Sequence, residues 1–181
     1  MLDLIIRNGK CYIDGELKEV DVAIKDKKIH QIGQISEEAK ETIDASGHTV
    51  LPGCIDTQTH FREPGSTDTE DLHSGSRAAI AGGITSVFEM PNTNPPTSNK
   101  KEFQRKLDLA KNRMYCNYAF YFGATAENAD DLASLKDLEG CCGIKLFAGS
   151  STGNLLVAEE DDIDKVFQNA SKVVAVHSED E

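Results

Sequence analysis

From residue 54 onward, short apolar runs alternate with amphipathic stretches. Cys54-Ile55-Asp56 follows a Pro52-Gly53 turn and opens a β-prone run that continues to the polar residues Gln58 and His60. Ile84–Met90, Asn117–Gly123, Cys142–Phe147 and Lys172–His177 are rich in β-branched and aromatic residues, and each predicts a strand. Between them lie helical patterns. Ala78–Ala81 sit in a helix that Asp71 or Ser74 can cap and Gly82-Gly83 stops. Lys100–Asn112 places Phe103, Leu107 and Ala110 at helical spacing, and Ala126–Leu138 and Asp161–Ala170 complete the set. The predicted order is β-α-β-α-β-α-β-α-β. Such alternation implies parallel strands joined by crossover helices.

Residues 2–50 carry a different pattern, of short strands without helices. An apolar run from Leu2 ends in Asn8-Gly9, a hairpin signal. Val20–Lys25 alternates, Asp26–Lys28 turns the chain into Ile29–Gly33, and Glu41–Asp44 and His48–Leu51 add two more segments. The expectation is a small antiparallel sheet of about five strands, with His30 and His48 at surface positions.

In the second region the polar residues gather where strands end: His60, Arg62, Asn92, Lys145 and His177. Ligand sites of parallel α/β folds lie at the carboxyl ends of the strands. No GxGxxG follows the first strand, and nearly every strand contributes a polar residue, which favours a barrel over a doubly wound sheet. A closed β/α barrel needs eight strands and about 250 residues, so five strands predict an incomplete TIM-type barrel. The expected domains are residues 1–50, a small β domain, and residues 51–181, the first part of a barrel.

Composition narrows the partners. The 181 residues are 39% hydrophobic and 28% charged, with a formal net charge of -12. That charge argues against nucleic acid or an anionic membrane as the main partner, though not against a small anion in a local basic pocket. There is no apolar run of about 18 residues and no basic, then apolar, leader, so neither a membrane span nor a secretory signal is expected. The five cysteines are odd in number and include no CxxC, which fits a reducing cytoplasm better than a disulfide framework or a cysteine zinc site.

The strand ends carry the candidate chemistry. Gln58 and His60 share one face of a strand, and Arg62 continues the alternation. Polar groups at such a place are either solvated or bind something. His60 and His177 are one possible pair of metal ligands. Lys145 lies in the apolar strand Gly143–Phe147. Either its stem is buried while the amine reaches water, or the amine reacts with carbon dioxide to give an anionic carbamate able to bridge metal ions.

The motifs IDTQTHFREPG, MPNTNPP, GIKLFAGSSTGN and VHSED occur in one order along the whole chain. Together they resemble a dihydroorotase of the class I type, in the amidohydrolase superfamily. HFREPG followed by MPNTNP distinguishes it from the neighbouring hydantoinases and allantoinases. The resemblance implies a β/α barrel with a small β-sandwich, of which residues 1–50 would be the N-terminal part. It implies reversible cyclisation of N-carbamoyl-L-aspartate to L-dihydroorotate in pyrimidine synthesis. It implies one or two zinc ions held by His60, Lys145 as a bridging carbamate, and His177, with Arg62 and Asn92 binding the substrate carboxylate. Gln58 stands where the family pattern has His, and an amide is a poorer zinc ligand than an imidazole; one subgroup of the family shares this Gln. The family's general-base aspartate is expected beyond Glu181, so these residues alone are expected to be inactive, with the first and fifth barrel strands as unpaired edges. A homo-oligomer is expected. The alternatives are another cyclic amidohydrolase of hydantoinase or allantoinase type, for which Arg62 has no carboxylate to bind, and a non-catalytic partner of a transcarbamoylase, which Gln58 favours.

Overall fold

The computed structural model describes residues 1–150 and 154–179. The chain divides into two compact units, Met1–Pro52 and Gly53–Glu181.

The first unit holds seven strands: β1 (Leu2–Arg7), β2 (Lys10–Ile13), β3 (Glu16–Glu19), β4 (Asp21–Lys25), β5 (Lys28–Gly33), β6 (Ala39–Asp44) and β7 (Thr49–Val50). They form two sheets, ordered β5-β4-β1-β6 and β3-β2-β7. Neither is the single antiparallel sheet that the pattern predicted, because β1 runs parallel to β6 and β2 parallel to β7. Asn8-Gly9 makes no hairpin either. Strand β1 pairs with β4 and β6 rather than with β2, and Asn8 donates its backbone N–H to the Asp21 carboxylate and its side-chain amide to that of Asp44. The tight hairpin lies at Asp14-Gly15, between β2 and β3, where both residues have left-handed φ values of 51° and 86°. That is the backbone a two-residue hairpin loop needs. His30 is exposed on β5, and His48 is exposed just ahead of β7.

The second unit is an α/β half-barrel. Strands β8 (Cys54–Thr59), β9 (Ile84–Glu89), β10 (Asn117–Gly123), β11 (Cys141–Phe147) and β12 (Val174–His177) form one curled sheet in the order β12-β11-β10-β9-β8. Every neighbouring pair is parallel. Helix α1 (Leu72–Ala81) starts at Asp71, which closes a capping box with Ser74, and ends at Gly82. Helix α2 (Lys100–Ala110) is capped by Asn99, whose side chain accepts the Glu102 N–H. Helix α3 (Glu160–Asn169) precedes β12.

The segment predicted as a helix over 126–138 is instead a 3-10 helix, Ala129–Leu135. Its buried residues are Ala129, Leu132 and Leu135, three apart, which is the period of a 3-10 helix rather than an α-helix. Asn128 fixes its start, accepting the Thr125 N–H and donating to the Ser98 and Gly123 carbonyls.

The core lies between the sheet and these helices. Val87, Phe120, Phe122, Ile144 and Leu146 from the strands meet Phe103, Ala110, Leu132, Leu135 and Val166. Strand side chains alternate between faces. Because Ile144 and Leu146 take the helix side, Lys145 and Phe147 point to the other. No described helix is long and apolar enough to cross a membrane.

Candidate functional site

One cleft of about 380 Å³ is lined by Gln58, His60, Arg62, Asn92, Lys145, Phe147, Ser150 and His177. All six residues singled out in the sequence are among them, and they arrive by different local routes.

Gln58 is exposed near the end of β8, where the register with β9 shifts, and its N–H bonds the Asp56 carboxylate at 2.9 Å. His60 follows the last residue of β8 and is half-buried. Burial, with the nearby Arg62 and Lys145 charges, holds its ring below the usual histidine range, and a side-chain hydrogen bond with Asn92 works in the opposite direction. A neutral imidazole is the form that ligates a metal.

Arg62 does not continue the strand alternation. The strand has ended, and Arg62 takes a left-handed backbone with φ of 62°. This conformation is uncommon for a large side chain, and its neighbours hold it. The Phe61 N–H donates to Glu89 Oε1 at 3.2 Å. Glu63 accepts from Arg113 at 2.8 and 3.2 Å and from the Leu72 N–H at 2.9 Å. The next turn docks on the loop after β9: Asn94 N–H donates to the Pro64 carbonyl at 2.9 Å, and a Cβ on Gly65 would lie 2.7 Å from the Cβ of Asn94. Only glycine permits that approach, and its φ of 118° suits no other residue. Among the described residues the Arg62 side chain, which lines the cleft, has no hydrogen-bond or ion-pair partner for its five donors.

Lys145 is 3% exposed. Its Nζ sits 5.0 Å from the Phe147 ring centroid and makes no hydrogen bond or ion pair among the described residues. Burial lowers its pKa. In register it lies between Gly123 of β10 and Ala175 of β12. Phe147 stacks at a tilt against His177, with ring centroids 6.0 Å apart. The carbonyl of His177 accepts the Ala148 and Gly149 N–H groups. Its Nε2 is buried, with the Glu179 carboxylate 3.2 Å away. Despite that proximity, Nε2 makes no hydrogen bond among the described residues.

These donors could hold a divalent metal ion on one condition. Among the described residues no three His, Cys, Asp or Glu side chains converge. Two imidazoles and one amide are a thin set for such an ion. The missing anionic oxygen fits at Lys145, an amine in the cleft lining without a partner among the described residues, which a carbamate would convert into a ligand. The fit therefore depends on that modification.

Two charged pairs escaped the sequence reading: Glu89 with Lys106, and Glu63 with Arg113. A signal was present for the first. Lys106 stands three residues after Phe103 and four before Ala110, on the face of α2 that is buried, and a lysine in a core position needs a partner.

Comparison with known proteins places the chain. Residues 49–177 match the amidohydrolase family model. An allantoinase of Escherichia coli O1:K1 / APEC is 41% identical over 149 residues, covering 82% of this chain and 33% of the relative. A dihydroorotase of Methanosarcina mazei is 35% identical over 185 residues, covering 100% of this chain and 40% of the relative. The solved structure of an L-hydantoinase from Arthrobacter aurescens superposes with a TM-score of 0.90 at 30% identity, over 100% of this chain and 42% of that one. The chain thus spans between a third and about two fifths of the length of these relatives. A family match over most of the sequence, a shared parallel half-barrel and full coverage at 35% identity agree: this chain belongs to the amidohydrolase family.

Proposed function

We propose that the protein carrying this chain is a zinc-dependent dihydroorotase, interconverting N-carbamoyl-L-aspartate and L-dihydroorotate. The observation that carries the reading is Arg62, a guanidinium without a partner among the described residues, lining the same cleft as His60 and Asn92. A guanidinium fork matches a carboxylate with two parallel hydrogen bonds. Dihydroorotate bears a carboxylate on its ring, whereas allantoin and simple hydantoins bear none.

In this reading His60, His177 and carbamylated Lys145 hold the metal, with Gln58 as a weaker fourth donor. Bound zinc would polarise the ring amide carbonyl and lower the pKa of water. This chain's own residues bind and orient. Arg62 grips the substrate carboxylate and Asn92 adds an amide donor beside it. The hydrogen bond between Asn92 and His60 couples the carboxylate site to the metal site and fixes the imidazole plane, as outer partners of a metal-ligating histidine do. Phe147, stacked on His177, keeps water from one side of that ring.

A second reading, a hydantoinase or allantoinase, draws on the L-hydantoinase and allantoinase similarities. The discriminating experiment is turnover by the zinc-loaded protein, expressed in bicarbonate-supplemented medium, with dihydroorotate, allantoin and a 5-alkylhydantoin. The proposal expects dihydroorotate to be opened far faster than the other two. Preference for either of those would overturn it. No turnover together with stable binding to a transcarbamoylase would favour the non-catalytic role.

A further inference from the structure

Glu89 and Lys106 are the most deeply buried ion pair among the described residues, with side chains 1% and 0% exposed. Burial pushes the Glu89 carboxyl up and the Lys106 ammonium down, and each partner opposes the shift of the other. A pair at this depth is a poor source of stability, because desolvation of both ions offsets their attraction, and apolar residues of the same size could fill the space.

Its contacts suggest a different use. Lys106 Nζ donates to the Met90 carbonyl at 2.9 Å, two residues before Asn92. Glu89 Oε1 accepts the Phe61 N–H at 3.2 Å, one residue before Arg62. The Met90 N–H in turn bonds the Thr59 carbonyl at 2.9 Å. One ion pair therefore grips the two segments that leave β8 and β9 for the cleft. The Lys106 ammonium is itself seated over the Phe120 ring, 5.1 Å from the centroid, so the grip is anchored in the core. The left-handed turn at Arg62 begins at the N–H that Glu89 holds.

We infer that the Glu89–Lys106 pair is a positioning element, which sets Arg62 and Asn92 at converging places in the cleft to receive a carboxylate. The carboxylate follows from the dihydroorotase reading; the clamp on the two segments does not depend on it.

The test compares the parent protein with three variants: the apolar swap Glu89→Leu with Lys106→Met, Arg62→Ala, and the two combined. The swap removes the acceptor for the Phe61 N–H without leaving a lone buried charge. The Phe61 amide should exchange with deuterium at least about tenfold faster, while the Phe120 and Phe122 amides of β10 keep their protection. The KM for dihydroorotate should rise about tenfold with kcat within about threefold, as for lost ground-state binding. In the Arg62→Ala background the same swap should raise KM by distinctly less than in the parent, about threefold or less, because only its effect through Asn92 remains. A merely structural role would loosen β10 as well and would multiply with Arg62→Ala, and either result overturns the inference. Should the swap fail to fold, Glu89→Gln with Lys106→Met supplies the second variant. It keeps an acceptor oxygen, so Phe61 protection should return towards the parent value while the Met90 side still loosens and KM still rises; an unchanged KM would overturn the inference. A parent protein inactive on dihydroorotate would count against the functional reading alone, and the exchange pattern would still decide the clamp.

Discussion

Both units carry ion pairs at the surface, but among the described residues only the second buries one completely. In the first, the ion pairs are exposed or part-exposed: Lys18 with Glu16, Lys40 with Asp3, side chains 60% and 37% exposed, and Arg7 with Asp21, 32% and 19%. Its buried core cluster is small, Leu2, Ile5, Ala23 and Ile35. In the second, a larger core surrounds one pair that is wholly buried, Glu89–Lys106, while in Glu63–Arg113 only the carboxylate is buried and the arginine is 37% exposed. Surface pairs contribute little to stability, and buried pairs cost about as much as they return. The buried pair bonds the two segments that lead into the cleft. Charge has been taken inside where two loops must be held in an uncommon shape.

Removing one partner of each kind of pair breaks this comparison most directly. Lys106→Met alone leaves the Glu89 carboxylate buried without a cation and should destabilise the second unit by about 3–5 kcal/mol, read from the urea midpoint. Lys40→Met in the first unit should leave its midpoint unmoved. Equal effects would mean that burial does not separate the two pairs. Next in size is Arg113→Ala. Glu63 keeps the Leu72 N–H but loses two charge-assisted bonds, a loss of about 1–3 kcal/mol. Proteolysis should then open the loop between β8 and α1 sooner than any other in the unit. Cleavage elsewhere first would show that the pair does not hold this loop.

A smaller effect is expected at the helix cap. Asp71→Ala removes the acceptor for the Ser74 N–H and should cost about 1 kcal/mol. That hydrogen bond lowers the Asp71 carboxyl below its ordinary value. The folded pKa is the lower one, so the contribution is present above the unfolded value of about 3.9 and fades as pH falls through the folded value. Parent and variant midpoints should therefore converge in acid; a gap that stays constant from pH 7 to pH 3 would sink this assignment. The smallest effect is chemical. Burial raises the Cys142 thiol to about 12, leaving roughly one thiolate in ten thousand at pH 8. Iodoacetamide at that pH should label the exposed Cys54 well before Cys142.

The half-barrel was legible in the sequence because its strands read as β-branched and aromatic runs and its helices read at a different period. The cleft was legible because its residues interrupt those runs at their carboxyl ends. Pairing in the first unit was not. Strand β1 takes β4 and β6 as neighbours across intervals that local turn signals do not encode, and Asn8-Gly9 advertises a hairpin that Asp21 and Asp44 prevent. The turn at Arg62 was hidden for a related reason. Arginine has no preference for left-handed backbone, and the groups that impose it, Glu89 and Arg113, lie 27 and 51 residues on. The 3-10 helix was readable from Ala129, Leu132 and Leu135, whose spacing of three is not that of an amphipathic α-helix.

The central claim is that Arg62 selects a carboxylate. Its most direct test is a cycle of two substrates and two proteins: dihydroorotate and dihydrouracil, which is the same ring without the carboxylate, each with the zinc-loaded parent and with Arg62→Ala. The lost fork is worth about 3 kcal/mol. The variant should therefore lose about a hundredfold or more in kcat/KM on dihydroorotate and less than about threefold on dihydrouracil, erasing the preference between them. Equal losses on the two rings, or a preference that survives in Arg62→Ala, would contradict the account.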